Sequence, residues 1–411
     1  MTRENIITTA FQVWGRQLYQ STSLTAIAEA LNVSKPALYR HFKNKNDLLD
    51  AMYRHFFDAY VAFIKPFHDT AITKQENEGI LIIIRALTTF YARNEDFSIF
   101  FLIQIYGNSA MKTLERQLQE RGIDLSRYYT ERLQAGRFVV AILTFILAYF
   151  HKHRSLTGDG KKPVADEDIQ KLTDFTAEIV LYGLRFEKTK IETLDYEGIE
   201  KKALSVPVAG EKNHLLKAIG SAIAESGPWG VSIKEIAQKS GLSKSSLYCH
   251  FENKRDMIIK FFMNEFERLI AFAEQGKRLS EKPEEQLYLI MNVIANYLLS
   301  APDILSALDW LKTRRAISPL GKQHHGAEKS IDSCPGKYAD SGSLHFSALF
   351  ADVIPQNEYS AMTHHLILFL IINTLMGRKE QMEASSQDDS NLRLLYRFVT
   401  LGIDLSRAYA G

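Results

Sequence analysis

The amino-acid sequence predicts an all-α fold made of two copies of one helical repeat. Apolar residues recur every three or four positions along its long segments, and nowhere does a strand-like alternation lie between turns. Residues 27–45 align without a gap with residues 236–254 at one constant offset, which indicates an internal repeat. At 411 residues the chain is also long enough for two or more hydrophobic cores. We therefore expect two full-length repeats rather than one domain.

Composition excludes several classes of protein. Hydrophobic residues make up 46% and charged residues 24% of the chain, so it holds enough apolar matter to fold. The formal net charge is +2, so a nucleic acid would have to meet a local basic patch. Two cysteines, Cys249 and Cys334, exclude a disulfide framework and favour a reducing compartment. Without a signal core or a bilayer-length apolar run, we expect a cytoplasmic protein that has no membrane partner.

The first repeat opens with a predicted helix-turn-helix head, residues 1–46. Asn32 is placed at the turn, because asparagine tolerates the left-handed backbone. Ser34 is expected to cap the following helix through its side-chain oxygen, and Leu38 and Phe42 are expected to anchor that helix. The preceding short helix is predicted from apolar residues spaced i, i+3, i+4 and i+7, which are Leu24, Ile27, Ala28 and Leu31.

A helical body, residues 47–187, follows the first head, and a linker is predicted at residues 188–212. The linker is polar, contains Pro207 and Gly210, and shows only weak apolar periodicity. We therefore expect it to connect the two repeats.

The second repeat consists of a head, residues 213–255, and a body, residues 256–411. Gly241 takes the turn, where a left-handed residue is needed, and residues 232–235 have the sequence of a capping box. The two bodies share one plan, an apolar segment followed by an amphipathic one. These segments are 138–150 and 166–186 in the first body, and 366–376 and 390–409 in the second.

The outward side of the second head helix has the chemistry of a DNA-reading surface. A helix fits the major groove, where its amino-terminal residues meet base edges, while hydroxyl, imidazole and ammonium groups bond phosphates. Lys45 and Lys254 follow the caps Asn44 and Asn253, so each lies at a helix start whose backbone N–H groups favour a phosphate. The outward residues of the first copy are Lys35, Pro36, Ala37, Tyr39, Arg40 and His41.

These residues resemble the DNA-binding domain of the tetracycline-repressor (TetR) family, and they do so twice. The resemblance rests on LYRHFKNK at residues 38–45, on LYCHFENK at residues 247–254, and on the turn that precedes each. It covers the head of each half. It implies a three-helix DNA-binding head joined by a long fourth helix to a body that binds a small effector and dimerises through its last two helices.

By that match, two sets of residues have expected roles toward DNA. Those that would approach bases are Thr25, Lys35, Pro36 and Ala37, with Lys234, Lys244, Ser245 and Ser246. Those that would hold phosphates are Tyr39, His41 and Lys45, with Tyr248, His250 and Lys254. The same surface includes Ser34, Arg40 and Ser243. The expected partner is a double-stranded DNA operator, and no metal or other cofactor is expected.

The fusion departs from the family pattern, in which one chain carries one head and two chains pair. Two heads and two bodies in one chain suggest a dimer within one polypeptide, whose apolar segments and following helices form an intramolecular four-helix bundle. The heads differ at four positions, so we expect an asymmetric operator. The pairing of a DNA head with a separate body in each half predicts an effector-responsive repressor. The differing pairs are Pro36/Ser245, Ala37/Ser246, Arg40/Cys249 and Lys43/Glu252. The oligomeric state is left open between a monomeric pseudo-dimer and a homodimer.

Other functions stay open at this stage. The second head carries less positive charge than the first. The alternative is that one or both heads no longer bind DNA, which would make the protein a protein-interaction adaptor. No signature of an enzyme is present, so no catalytic activity is expected. Several aromatic residues are candidates for lining an unknown effector's pocket, although core packing explains them equally well. They are Phe97, Phe100, Phe101 and Tyr106 in the first body, and Tyr288, Tyr297 and Trp310 in the second.

Overall fold

The predicted all-α fold is confirmed in a computed structural model of the chain, where every regular element of the described residues is a helix. The structure describes residues 2–14, 23–106, 111–124, 136–159, 162–208, 214–314, 348–356, 360–381 and 390–403. These residues form two compact units, one ending at residue 178 and the other beginning at residue 179.

The first unit begins with three head helices and a long fourth helix, in the order that the helix-turn-helix prediction requires. The head contains α1 (Arg3–Trp14), α2 (Leu24–Ala30) and α3 (Lys35–Tyr39), and α4 (Lys45–Ala71) follows. The body contains α5 (Glu76–Arg93), α6 (Glu95–Phe100), α7 (Met111–Gln119), α8 (Gly136–Leu156) and the first part of α9 (Asp166–Tyr182). A π-helical turn, Phe101–Tyr106, continues α6.

Head and body of the first unit share one hydrophobic core. Phe11 of α1 packs edge-on against Phe97 and Phe100 of α6, each with ring centroids 5.0 Å apart. Phe56 of α4 joins them, with its centroid 5.7 Å from that of Phe97 and 5.5 Å from that of Phe100. Such aromatic pairs add stabilisation beyond the area that they bury. The first head is therefore held directly against α6 of its own body.

Acid is expected to weaken the first unit through His151 of α8. Burial lowers the pKa of this imidazole to about 4, although a hydrogen bond to the carbonyl oxygen of Tyr91 opposes the shift. The unfolded chain takes up a proton near pH 6.5, while the folded imidazole stays neutral until about pH 4, so stability is lost as the pH falls between these values. We expect a loss of about 1.4 kcal/mol at pH 5.5, equivalent to one pKa unit.

The measurement is urea unfolding of the full chain at pH 7.5 and pH 5.5. His151→Gln keeps a donor for the Tyr91 carbonyl and removes the titration, so it should flatten this pH dependence. His153→Gln, at an exposed position of the same helix, serves as the control and should leave it unchanged. An equal slope in the His151→Gln variant would rule out this cause.

The second unit repeats the head and long-helix order. Its head contains α12 (His214–Gly230), α13 (Ile233–Ser240) and α14 (Lys244–His250), and α15 (Lys254–Lys277) follows. The body contains α16 (Pro283–Ser300), α17 (Pro302–Arg314), α18 (Ser360–Gln381) and α19 (Ser390–Leu401). Helix α12 is interrupted at Gly227, whose φ of 70° lies outside the helical region.

Helix α16 lies inside this body and is buried on almost all sides, as expected of a helix that is apolar all round. It packs against α15, α17, α18 and α19. No single helix of the described residues meets the length and hydropathy of a membrane span, whereas α16 with the Pro302–Asp309 part of α17 meets them only as a pair bent by 106°.

The segment predicted as a linker contains two short helices. These helices are α10 (Lys188–Glu192) and α11 (Tyr196–Leu204), and α11 packs against α16. Ile191, Ile199 and Ala203 are buried there. Each helix is too short for apolar periodicity to be visible in the sequence. The domain boundaries themselves stay a prediction.

The carboxyl-terminal ends of α9 and α19 meet backbone to backbone. Gly183 and Gly402 both have the left-handed backbone, with φ of 58° and 72°. The Leu184 N–H donates to the carbonyl oxygen of Val399 at 2.8 Å. A Cβ atom on Gly402 would lie 2.4 Å from the carbonyl carbon and oxygen of Leu181. The close approach explains why both ends carry glycine, while the four-helix bundle stays a prediction.

Candidate nucleic-acid interface

The first helix-turn-helix forms as predicted. Asn32 adopts the left-handed backbone with φ of 53°, and the next N–H, that of Val33, donates to the carbonyl oxygen of Ala28 at 2.9 Å. Leu38 and Phe42 are each 1% exposed, so they anchor α3 as expected. The turn therefore holds α3 across α2 with one face fixed against the head core.

The second helix-turn-helix has the same geometry with different residues. Gly241 takes the left-handed turn with φ of 66°, and Leu247 of α14 is fully buried. The predicted capping box at the start of α13 is present. The Glu235 N–H donates to the Ser232 hydroxyl at 3.1 Å, and the Ser232 N–H donates to the Glu235 carboxylate at 3.4 Å.

Most of the residues expected to meet DNA are at the surface. Tyr39 is 47% exposed and Tyr248 is 51% exposed, so a large phenol ring projects from the same position of both heads. The other exposed members are Ser34, Lys35, Pro36, Arg40, Lys234, Ser243, Lys244, Ser245 and His250. Those of intermediate exposure are Thr25, Ala37, His41, Lys45, Ser246 and Lys254.

The two recognition helices begin differently, and the expectation for Ser34 was wrong. Ser34 makes no side-chain cap hydrogen bond, whereas the Ser243 hydroxyl accepts from the Ser246 N–H at 3.0 Å. The corresponding donor of the first head, the Ala37 N–H, donates instead to the backbone carbonyl oxygen of Ser34 at 2.9 Å. The hydroxyl of Ser34 is therefore not used at the helix start, while that of Ser243 is.

The helix starts beside the recognition helices are capped as predicted, with one addition. The Asn44 side chain accepts from the Asp47 N–H, and Asn253 accepts from Asp256, both at 2.9 Å. The sequence prediction missed the return bond, in which Asp47 accepts from the Lys43 N–H at 3.0 Å. Asp256 makes the same bond to residue 252 at 3.0 Å. A carboxylate thus already meets the positive end of each long helix.

Two cations pack on aromatic rings in the first head. The Lys45 ammonium lies 5.6 Å from the centroid of the Trp14 ring, and burial lowers the pKa of Lys45. The Arg3 guanidinium lies 4.3 Å from the centroid of the Phe42 ring and donates to the carbonyl oxygen of His41 at 2.9 Å. Sequence reasoning missed Arg3, because it stands 38 positions before His41 and no local pattern joins them.

Comparison with known proteins agrees with this geometry. The profile of the bacterial regulatory proteins of the tetR family matches residues 6–52 and matches again at residues 215–260. The chain contains two TetR-family domains. The resemblance stated from the sequence is confirmed, and each TetR-family domain spans the three head helices and the start of the long fourth helix.

One curated relative supports the same assignment for a short stretch. The HTH-type transcriptional regulator AcrR of Shigella flexneri is 40% identical over 52 residues, which is 13% of this chain and 24% of that protein. The chain therefore matches about a quarter of the length of this relative. Outside the two TetR-family domains, function has to be argued from the structure.

The effector-pocket candidates of the first body lie largely in its core. Phe100 is 1% exposed and Phe101 is 8% exposed, and both belong to the apolar cluster that joins head and body. Phe97 is half-buried and also lines a cavity. The side chain of Tyr106 lies outside the described residues. Core packing therefore accounts for Phe100, whereas Phe97 keeps access to open space.

In the second body, the candidate tyrosines are fully buried and hydrogen-bonded to carboxylates. The Tyr288 hydroxyl donates to Glu200 of α11 at 2.5 Å, and the Tyr297 hydroxyl donates to Glu265 of α15. Burial raises the pKa of both phenols above the ordinary range, and the neighbouring carboxylates add to the shift. The side chain of Trp310 lies outside the described residues. An effector pocket at these residues stays a prediction.

Metal ligands do not gather in the part of the chain that the structure describes, where no three His, Cys, Asp or Glu side chains form a group suited to an ion. Cys249 of α14 is an exposed free thiol. Cys334 lies outside the described residues.

Proposed function

We propose that the protein is a sequence-specific DNA-binding transcription regulator that uses two heads in one chain. The observation that carries the proposal is the pair of recognition helices, α3 and α14, each anchored by a buried leucine and each projecting an exposed tyrosine and an exposed lysine. Hydroxyl and ammonium groups on one face suit phosphates and base edges. Action on DNA also implies a cytoplasmic location, and no catalytic activity is part of the proposal.

The operator is proposed to have two unlike half-sites. Arg40 is exposed in the first head, where Cys249 stands in the second, and Lys43 is replaced by Glu252. The starts of the helices differ too, because Ser243 is engaged as a cap and Ser34 is not. We expect half-site centres about one helical turn, roughly 34 Å, or a simple multiple apart.

Repression relieved by a small effector is the proposed mode of action. An effector that binds one arrangement of heads and bodies more tightly than another shifts the population toward that arrangement. If the favoured arrangement no longer presents both heads to their half-sites, DNA affinity falls by the same coupling. Direct contact between α1 and α6 in the first unit supports such coupling, because a change in the body reaches the head without an intervening loop.

The test is selection of binding sites from a random duplex pool by the purified full chain, followed by affinity measurements at several salt concentrations. An enriched site with two unlike halves and a steep salt dependence is expected, since phosphate contacts release counterions. A perfectly palindromic site would contradict the asymmetric operator. No enrichment at any salt concentration would contradict DNA binding itself.

Exchange of one residue pair between the heads is expected to change DNA affinity in opposite directions. Arg40→Cys should lower affinity for the selected site about tenfold and reduce the salt slope by about 0.9, because one phosphate contact is lost. Cys249→Arg should raise both the DNA affinity and the salt slope. Fluorescence anisotropy with the selected duplex measures them, and Lys74→Cys, at an exposed position away from the heads, is the control. Equal affinities for the wild type and both exchange variants would place this position outside the DNA interface.

A protein-interaction adaptor is the second candidate, favoured by the exposed Glu252 and Cys249 of the second head. Two double variants test this candidate. One carries Tyr248→Ala with Lys254→Ala in the second head, and the other carries Tyr39→Ala with Lys45→Ala in the first head. Loss of DNA affinity in both double variants supports two working heads. Loss in the first head alone assigns the second head a partner other than DNA. Sedimentation of the free chain decides between monomer and homodimer.

A further inference from the structure

A cavity of about 370 Å³ lies between the head and the body of the first unit. Its walls come from α1 of the head, from the long helix α4, and from α5, α6, α8 and residues 162–164 of the body, and they include the acidic residues Glu95 and Asp96. This volume is within the range of small-molecule sites. Helices of a DNA-binding head and of a body thus face one space, in which a bound molecule would touch both.

One wall of the cavity is aromatic. Phe11, His55 and Phe97 line it, with ring centroids 5.9 Å apart for Phe11 and His55 and 6.0 Å apart for His55 and Phe97. The Phe11 and Phe97 rings meet edge-on. Rings arranged in this way accept a further flat ring by edge or offset contacts. The wall therefore suits a planar aromatic group.

The lining also contains a buried cation, Arg154. The Arg154 side chain is 11% exposed, and its Nη2 atom donates to the carbonyl oxygens of Asp159, at 2.7 Å, and Lys162. The nearest described carboxylate, that of Asp168, stays 3.9 Å from Nη1, beyond hydrogen-bonding distance. A buried guanidinium without a hydrogen-bonded anion favours the arrival of one.

His151 beside Arg154 adds no charge. Its Nε2 atom lies 3.0 Å from the Tyr91 carbonyl oxygen, which only accepts, so Nε2 carries the hydrogen. Burial keeps the pKa of His151 at about 4, and the ring is neutral near pH 7. Two further cations of the cavity, Arg93 and Lys162, are paired with Asp166 at 2.5 Å and Asp159 at 2.7 Å. Arg154 is thus the cation to which an anionic ligand would bind.

We propose that this cavity binds a small aromatic carboxylate, with its ring against the wall formed by Phe11, His55 and Phe97 and its carboxylate on Arg154. Because α1, α4 and α6 each supply a ring to this wall, a bound molecule touches head and body together and reorients the head relative to its body. The regulatory part of this inference rests on the proposed DNA-binding function, whereas binding of the ligand does not. The site differs from the aromatic core around Phe100, which is already filled.

The test uses 2-naphthoate as the probe and 2-naphthalenemethanol as the uncharged control of the same shape. Calorimetric titration of the full chain is expected to show binding of the acid at least about tenfold tighter than binding of the alcohol, the advantage of a charge-assisted hydrogen bond. Equal affinities would overturn the role of Arg154. No binding of the acid at millimolar concentration would overturn the site.

Two tryptophan variants of α1 locate the probe. Thr8→Trp fills the cavity from an exposed position and should abolish binding, while Gln12→Trp, exposed on the same helix outside the cavity, should leave it intact. Retained binding in Thr8→Trp would place the probe elsewhere. Arg154→Gln should remove the preference for the acid, and circular dichroism verifies that this variant folds.

DNA affinity measured with and without the probe tests the regulatory part. The acid should weaken binding to the selected duplex in the wild type and leave Thr8→Trp unaffected. Probe binding with unchanged DNA affinity would overturn the coupling between cavity and head. A chain that binds the probe and no DNA would contradict the proposed function and leave the carboxylate site established, so the two failures are distinct.

Discussion

Gly402→Ala is expected to remove about 4 kcal/mol of unfolding free energy from the second unit, combining about 1–2 kcal/mol for a left-handed alanine with the strain of an overpacked contact. A Cβ at this position would lie 2.4 Å from the carbonyl group of Leu181 and 2.5 Å from the Tyr182 nitrogen. Backbone atoms at such distances cannot move aside as a flexible side chain can. Gly183→Ala should behave alike, because its Cβ would lie 2.6 Å from the Val399 carbonyl oxygen.

The measurement is differential scanning calorimetry of the full chain, in which Gly402→Ala should lower the Tm by about 10 °C. Gly241→Ala is the matched control, since Gly241 also has a positive φ of 66° but its added Cβ meets no atom within 4 Å. The control should lose only the left-handed penalty of about 1–2 kcal/mol. If the two variants lost equal stability, the close approach of α9 and α19 would not contribute.

Arg393→Met is expected to destabilise the second unit by about 2 kcal/mol, less than for a fully buried pair because the arginine side chain is 33% exposed. Arg393 of α19 donates to both oxygens of Glu200 of α11, from Nε at 2.7 Å and from Nη2 at 2.6 Å. The Tyr288 hydroxyl donates to the same carboxylate. Removing the cation leaves Glu200, 17% exposed, charged and short of donors.

The contribution of the Arg393–Glu200 pair to stability is expected to depend on pH. Burial alone would raise the pKa of the Glu200 carboxyl, but the hydrogen bonds from Arg393 and Tyr288 outweigh it, and the pKa lies below its usual value. The folded state therefore favours the carboxylate, so this stabilisation is present above the ordinary pKa of about 4.3 and is lost as the pH falls through the folded value. In Arg393→Met this acid dependence should be weaker.

Urea unfolding at pH 7 and at pH 3.5 measures both effects. Lys188→Met is the control, because Lys188 forms an exposed helical pair with Glu192 at 3.7 Å, and such pairs contribute about 0.5 kcal/mol or less. Glu200→Gln combined with Arg393→Met should recover part of the loss, since no buried charge is left unpaired. A loss in Arg393→Met as small as that of Lys188→Met would show that α11 is not held by this pair.

The heads were predictable from the sequence because their determinants are local. The turn at Asn32, the anchors Leu38 and Phe42 and the cap at Asn44 all act within one turn of helix or one adjoining element, so spacing alone predicts them. Ser34 shows the limit of such reasoning. Its residue type predicts a cap, but the Ala37 N–H, which the side chain would accept, donates to the Ser34 backbone carbonyl oxygen, and the cap is absent.

Long-range contacts were beyond this reasoning. The pairing of Arg3 with the His41 carbonyl spans 38 positions, and that of Arg393 with Glu200 spans 193. The helices of the predicted linker are fixed by burial of single residues such as Ile191 and Ile199, which produce no periodic signal over five or nine residues. The cavity beside Arg154 depends on five separate stretches of chain meeting.

The left-handed turn made by Asn32 in the first head and by Gly241 in the second has a consequence for how such a protein changes over generations. In a symmetric dimer one gene encodes both heads, so a substitution that improves contact with one half-site is imposed on the other as well. Here each head is encoded separately, and a substitution alters one head alone. The two copies already meet the same backbone requirement with different residues. With one head on each half-site, as proposed, drift toward unlike half-sites would need no second, compensating substitution, and specificity could be changed one half at a time.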